Sequence, residues 1–282
     1  MDKEIKYSPV DNSFSIEYKN APHTRPMPPH THNAAELFLN LSYLPYVLLD
    51  SKVLPAEKDT LIIFPSYCVH KLSSLPDEAY ERYVIMADTL WLEKTLGGID
   101  SHSYLRDSQE PMIIPLKPSE RDSMIEACKR YIEYNGSSDF TKLAYFFDVM
   151  SIADRLAVSS SVKKRTIPQK KISSTNKTVN DIIEYINEHL TENLMVKDIA
   201  KHFYLNPDYI ARIFKKYTNT TINSYITMQR IAAARRMLIS GSSISEAQQN
   251  TGYSSYSHFF RIFKKETGMT PREFVDMYSK TE

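Results

Sequence analysis

The chain has 282 residues, 42% of them hydrophobic and 24% charged, with a formal net charge of +1; this is the make-up of a soluble globular protein with length for about two domains. No apolar run approaches the roughly 20 residues a membrane helix needs, and the charged start Met1-Asp2-Lys3-Glu4 has no apolar stretch behind it, so neither a spanning helix nor a signal peptide is expected. Cys68 and Cys128 are the only thiols, too few for a disulfide framework, and a reducing cytoplasm is the expected location.

Residues 1 to about 95 read as strands. Short runs rich in Tyr, Phe, Ile, Val and Leu, such as Leu37–Leu41, Tyr46–Leu49, Thr60–Phe64 and Arg82–Met86, are separated by Pro, Asn and Asp, a pattern that predicts a sandwich or barrel. From Ser119 to about Val158 the period changes. Met124, Ile125, Cys128, Tyr131 and Ile132 recur at helical spacing, as do Leu143, Phe146, Phe147, Met150, Ile152 and Ala153. These two helices either complete the β core or pair with a second subunit, and a homodimer is expected. Ser159 to Lys177 is polar and basic, with almost no apolar periodicity, and reads as a linker.

Everything from Thr178 onward looks helical. Val179, Ile182, Ile183, Ile186 and Leu190 make one apolar face, and Val196, Ile199, Ala200 and Phe203 the next. Asn206-Pro207 supplies an N-cap and a first-turn proline for a helix burying Ile210, Ile213, Phe214 and Tyr217. A longer helix from about Ile222 to Leu238 turns Tyr225, Ile226, Ile231, Ala234 and Leu238 inward. The unit then repeats: Ile244, Ala247 and Thr251, a turn at Gly252, and a helix from about Ser255 to Thr267 burying Phe259, Ile262 and Phe263. The domains so divided are 1–118, a helical segment 119–158, the linker 159–177, and 178–282. Charge follows the division. Residues 1–159 hold 16 Lys+Arg and 23 Asp+Glu, a net of −7, whereas residues 160–282 hold 19 and 11, a net of +8. A basic domain joined to an acidic one suits a polyanion-binding module with a separate regulatory domain.

The basic half contains Arg-Ile-Phe-Lys-Lys twice, at Arg212–Lys216 and Arg261–Lys265, 49 residues apart. In a helix-turn-helix the second helix enters the major groove, its first residues reach base edges, and basic residues at its ends clamp phosphate. The expected DNA-facing residues are Asn206, Asp208, Tyr209, Ala211, Arg212, Lys215 and Lys216 in the first unit, and Ser255, Tyr256, Ser257, Phe260, Arg261, Lys264 and Lys265 in the second. Arg212 and Arg261 are equivalent in the repeat, and arginine can hold guanine with both arms of its guanidinium. A connecting helix of about 17 residues spans roughly 25 Å, enough to hold two recognition helices on one DNA face about a helical turn, near 34 Å, apart.

These residues carry a resemblance. Asp198-Ile-Ala-Lys-His-Phe-Tyr-Leu-Asn-Pro-Asp-Tyr-Ile-Ala-Arg-Ile-Phe-Lys-Lys, then Arg230-Ile231 with Ala234 and Leu238, then Gly252-Tyr253 through Arg261–Lys265, Thr267–Pro271 and Phe274 resemble the DNA-binding half of the AraC/XylS family of bacterial transcription regulators. The resemblance covers about 100 residues. It implies a bipartite reader of double-stranded DNA that recruits or blocks RNA polymerase. The sequence departs from the family where Gln248 stands in place of a small residue, often Ala, four positions before the turn glycine; the first unit has Ala200. A Gln at a helix contact is bulkier and needs a polar partner, so the second helix pair is expected to pack less tightly. Its turn is also one residue longer.

The second pattern is His30-Thr-His32-Asn-Ala-Ala-Glu36, with His70 further on. Alternating strand positions can point such residues into one barrel and ligate a metal. The arrangement resembles the cupin metal motif, and also the cupin-like effector domains of AraC-type regulators, which bind a small molecule, often a sugar, without a metal. The expected fold is therefore α+β: an N-terminal cupin-like β-barrel with trailing helices, then an all-α domain of two helix-turn-helix units joined by a linker helix. His30, His32, Glu36, His70 and Arg82 are the expected effector-binding residues, with no metal and no cofactor. No glycine precedes Gly97, and Lys58 sits where a turn glycine is usual. The chain has no nucleophile elbow, phosphate-cradling glycine loop or cysteine cluster. An effector-controlled regulator is thus expected rather than an enzyme, a cupin-type metalloenzyme being the alternative and a ligand-independent architectural DNA binder a third reading.

Overall fold

The computed structural model describes residues 13–21, 29–49, 52–72, 80–96, 105, 111–163 and 174–279. The N-terminal half is built on an antiparallel sheet in which β1 (Phe14–Ala21), β7 (Tyr80–Asp88), β2 (Ala34–Asn40), β5 (Thr60–Phe64) and β8 (Met112–Pro115) lie side by side in that order. A smaller sheet holds β4 (Lys52–Ala56), β3 (Leu44–Leu49) and β6 (His70–Leu72). The barrel expected from sequence is not closed: among the described residues only an isolated bridge at His30 and His70 extends the small sheet, and no ladder joins the two. β6 is three residues long and pairs with β3, so it is spent within its own sheet.

The central strand β2 is buried along its whole length, which explains its unbroken apolar run Leu37–Leu39 in place of alternation. Its period of two still sorts the residues. Ala35, Leu37 and Leu39 share a core with Ile63, Ile85, Met124, Cys128, Phe146 and Met150, whereas Phe38 packs with Val47, Ile62, Phe64 and Tyr80 between the sheets. Helices α1 (Thr89–Leu96), α2 (Pro118–Glu133) and α3 (Asp139–Lys163) cover the first of these faces. The helical segment therefore completes the β core. Phe140, Ile132 and Val158 remain exposed on it. Helix α3 continues to Lys163 and α4 begins at Ser174, so of the stretch read as a linker residues 164–173 lie outside the described residues.

The C-terminal half is helical throughout: α4 (Ser174–Glu188), α5 (Val196–His202), α6 (Pro207–Thr218), α7 (Ile222–Ile239), α8 (Ile244–Gln249), α9 (Tyr256–Thr267) and α10 (Pro271–Ser279). Helix α7 is shared. Its first half, with Ile222, Tyr225 and Ile226, closes one core with Ile183, Ile199, Ile210 and Phe214. Its second half, with Ile231, Ala234 and Leu238, closes another with Ala247, Phe259, Phe263 and Phe274. A helix packed on so many sides buries residues around much of its circumference, Gln229 and Arg235 included.

The two halves touch. Leu48 and Val69 belong to the first helical core, and Tyr67 to the second. The Lys71 ammonium donates to the carbonyl of Tyr217 at 3.3 Å, near the end of α6.

Candidate functional site

Helices α6 and α9 are built alike. Asn206 caps α6, its side-chain oxygen accepting from the amides of Asp208 (2.8 Å) and Tyr209 (3.4 Å); Ser255 caps α9, its hydroxyl accepting from the amide of His258 at 3.4 Å. Both helices end in a left-handed residue, Asn219 (φ 58°) and Gly268 (φ 79°), and in a buried threonine, Thr218 and Thr267. The duplication thus extends from the pentapeptide to the capping chemistry at each end.

The sequence-derived DNA residues lie together on the outer faces of these two helices. Asn206, Asp208, Tyr209, Ala211, Arg212, Lys215 and Lys216 are exposed, as are Ser255, Tyr256, Ser257, Arg261, Lys264 and Lys265. Phe260 is half-buried and packs on Tyr256, ring centroids 6.3 Å apart. The Arg212 guanidinium lies 5.8 Å above the Tyr209 ring. The oxygens of Asn206 and Ser255 are committed to capping, so these residues set the entry of each helix. The lysines at each C-terminus meet the negative end of the helix dipole, and each N-terminus offers its positive end to a phosphate.

What fixes one unit against the other was missed in the sequence. Arg230, midway along α7, donates to the carbonyls of Leu190 (2.9 Å) and Glu192 (2.5 Å) in the first unit, and its guanidinium lies 5.6 Å from the Tyr253 ring in the second. Burial lowers its pKa, with the nearby Tyr253 opposing. Gly252 sits against this clamp with φ 78°, where a Cβ would fall 2.7 Å from the Leu190 carbonyl and 2.8 Å from Arg230. Arg235, fully buried, donates to the Glu266 carbonyl at 3.3 Å. The only hint of Arg235 in the sequence is its phase, between Ala234 and Leu238 on the buried side of α7. Gln248, expected to loosen the second unit, instead finds a partner within it: its amide donates to the Tyr253 carbonyl across the turn.

In the N-terminal half His30, His32, Glu36 and His70 converge, and one ligand atom from each lies within 4.8 Å of all the others. His32, Glu36 and His70 are buried. Glu36 Oε2 is 3.1 Å from His32 Nε2 and 3.2 Å from His70 Nε2. Burial opposes ionisation of Glu36, but the two imidazoles outweigh it and hold the carboxyl well below its ordinary range. Phe64 stacks on His70 at 4.2 Å and shields the cluster on that side. The fifth expected residue, Arg82, folds back on its own strand, donating to the Tyr80 carbonyl at 2.9 Å with its guanidinium 3.8 Å over that ring. Three histidines and a carboxylate could hold a borderline divalent ion. Among the described residues no helix is long and apolar enough to cross a membrane, and Cys68 and Cys128 are buried thiols outside any disulfide.

A family profile described as a helix-turn-helix domain matches residues 199–277. The regulatory protein PocR of Salmonella typhimurium is 36% identical over 93 residues, 33% of this chain and 31% of PocR. An uncharacterized HTH-type transcriptional regulator of Pseudoalteromonas carrageenovora is 30% identical over 121 residues, 43% of this chain and 71% of the relative. The melibiose operon regulatory protein of Escherichia coli is 32% identical over 97 residues, 34% of this chain and 32% of that protein. The chain thus spans about a third of the length of PocR and of the melibiose regulator. Among solved structures, ToxT of Vibrio cholerae aligns over 95% of this chain and 98% of its own with 16% identity and a TM-score of 0.37.

Proposed function

We propose, for a chain that belongs to the AraC/XylS family of helix-turn-helix transcription regulators, that α6 and α9 occupy two successive major-groove segments on one face of an operator or promoter duplex. The observation that carries this reading is the paired exposure of Arg212, Lys215 and Lys216 with Arg261, Lys264 and Lys265 on two helices braced by one shared α7. With 18 residues, α7 spans about 27 Å, compatible with grooves one turn apart. The acidic N-terminal half then acts as the regulatory domain. A small-molecule effector bound near His30, His32, Glu36, His70 and Arg82 shifts how the DNA-binding half is held. The relative that regulates a melibiose operon supports a sugar as one effector class. The reading extends to a homodimer formed through the exposed side of α2 and α3, and to contact with RNA polymerase at the promoter. Catalysis has no part in it.

The test is a hydroxyl-radical footprint of the full chain on duplex selected from random sequence by repeated binding. Two protected patches on one face, about ten base pairs apart, are the expected result. A single patch would remove α9 from the reading, and no sequence-selected duplex at all would remove DNA recognition.

A further inference from the structure

The backbone orients the histidine cluster so that its ring edges meet. His32 Nδ1 lies 2.8 Å from the Ala34 carbonyl, and His70 Nδ1 lies 3.0 Å from the Cys68 carbonyl. A carbonyl oxygen only accepts, so each Nδ1 carries its proton and each ring turns Nε2 toward the cluster. Both Nε2 atoms face the same carboxylate oxygen, Glu36 Oε2, at 3.1 and 3.2 Å. With no ion present each Nε2 needs a proton to face the carboxylate, and a divalent ion would take the place of those protons among the three side chains. Backbone carbonyls that orient ligating imidazoles through the far nitrogen are the usual outer layer of a metal site. His30 joins from the adjoining bridge, where its amide and carbonyl pair with those of His70 at 3.0 and 3.1 Å. The donor set, three imidazoles and one carboxylate, suits Zn²⁺, Fe²⁺, Co²⁺ or Mn²⁺. It lacks the thiolates that Cu⁺ prefers and the all-oxygen shell of Ca²⁺ or Mg²⁺.

The same segment that supplies His70 also reaches the DNA-binding half. Along residues 67–71 the side chains alternate between the interior of the N-terminal half and the DNA-binding half. Cys68 and His70 face the interior of the N-terminal half. Tyr67 packs on Phe274 at 5.8 Å, Val69 enters the core of the first helix-turn-helix unit, and Lys71 donates to Tyr217. The Tyr67 amide, moreover, donates to the carbonyl of His32 at 2.8 Å. Two of the four cluster residues are therefore one hydrogen bond or one peptide away from side chains buried against both DNA-reading units.

We propose that His30, His32, Glu36 and His70 bind one divalent transition-metal ion, and that its occupancy sets the position of the Tyr67–Lys71 segment and hence the hold of the N-terminal half on both helix-turn-helix units. The second part rests on the regulator reading given above, and makes a metal ion its effector or co-effector.

The test uses the full chain stripped with chelator and titrated with Co²⁺ and Zn²⁺. One equivalent per chain is expected, with the visible absorption of Co²⁺ bound to nitrogen and oxygen ligands. His32→Ala and Glu36→Gln should each weaken binding by about tenfold or more while keeping the far-ultraviolet circular dichroism of the parent. No stoichiometric ion, or unchanged affinity in both variants, overturns the site. Affinity for the selected duplex is then compared with and without metal. A metal-dependent shift in the parent that Tyr67→Ala abolishes while still binding Co²⁺ is the expected result. Equal DNA affinity in the loaded and stripped parent overturns the coupling and leaves the DNA-binding reading intact. Absence of DNA binding in both forms overturns that reading instead, while the cobalt titration still decides the site.

Discussion

The Arg235 guanidinium lies 5.0 Å over the ring of Tyr67, one residue from the DNA-binding half and one from the N-terminal half, both almost wholly buried. Tyr67 holds a left-handed backbone, φ 59°, which costs a bulky side chain about 1 kcal/mol or more. Its ring, set between Arg235 and Phe274, offsets that cost. Tyr67→Ala removes the ring from a packed interface and should destabilise the chain by about 3 kcal/mol or more. Tyr67→Phe should cost much less. Chemical denaturation followed by circular dichroism distinguishes them, and equal losses for both would show that the hydroxyl rather than the ring matters.

On the DNA side, Arg212→Ala and Arg261→Ala should each weaken binding to selected duplex by about 1–3 kcal/mol if they read bases. Lys215→Ala and Lys264→Ala should weaken binding to all sequences alike and lower the salt slope by about one. Gel shifts across a salt series separate the two classes. Parental binding by both arginine variants would mean that another face of α6 and α9 meets the duplex.

Gln248 is buried, and its amide closes the turn onto the Tyr253 carbonyl. Gln248→Ala should cost about 1–2 kcal/mol, since it strands that carbonyl in a buried position, and it should weaken α9's share of DNA binding more than α6's. Thermal denaturation of the variant, with footprints of the two half-sites, checks both. A gain in stability would mean that the family's usual small residue packs better here than the hydrogen bond it replaces.

Burial pushes the Lys71 ammonium down to about 8 from its ordinary 10.5. The unfolded or undocked chain thus holds this proton more tightly than the docked one between those two values. Linkage then makes stability rise with pH across that window, the penalty being fully present below about 8 and relieved as pH climbs toward 10.5. Lys71→Met should lack this rise. Melting midpoints of the two proteins, taken as a difference at each pH, isolate Lys71 from the tyrosines that titrate nearby. A difference independent of pH would place the Lys71 amine in water.

The DNA-binding half was legible because its signals are local. Period 3.6, Asn206-Pro207, the glycine turns and the duplicated pentapeptide each act within a few residues, and Tyr225, Ile226, Ile231, Ala234 and Leu238 are buried as their spacing indicates. The N-terminal half was legible only in part. The runs behind β2, β3, β5 and β7 stood out, whereas β1, β4, β6, β8 and α1 did not. β6 is too short to show a period, and the outward half of β1, with Glu17 and Lys19, is polar. The spacing of His30, His32, Glu36 and His70 marked a cluster, but their convergence depends on the bridge between residues 30 and 70, a long-range pairing that no local pattern encodes. The roles of Tyr67, Lys71, Arg230 and Arg235 were hidden for the same reason, since each is decided by a partner far along the chain.

The two turns of the repeat differ in one further respect. Tyr204 adopts φ 55° at the first turn and is 96% exposed, whereas Gly252 adopts φ 78° at the second with the Leu190 carbonyl and Arg230 within 3 Å of where a side chain would begin. The first position is open to trial and error, since asparagine or glycine would fit there and most other residues would meet only water. The second admits nothing but hydrogen. Gly252→Ala should therefore unseat the Arg230 clamp and lower the melting midpoint, while Tyr204→Asn leaves it near the parent's. A library randomised at both sites and sorted for folded protein should return variety at 204 and glycine at 252, so that one half of the repeat tolerates change while the other is locked to its neighbour.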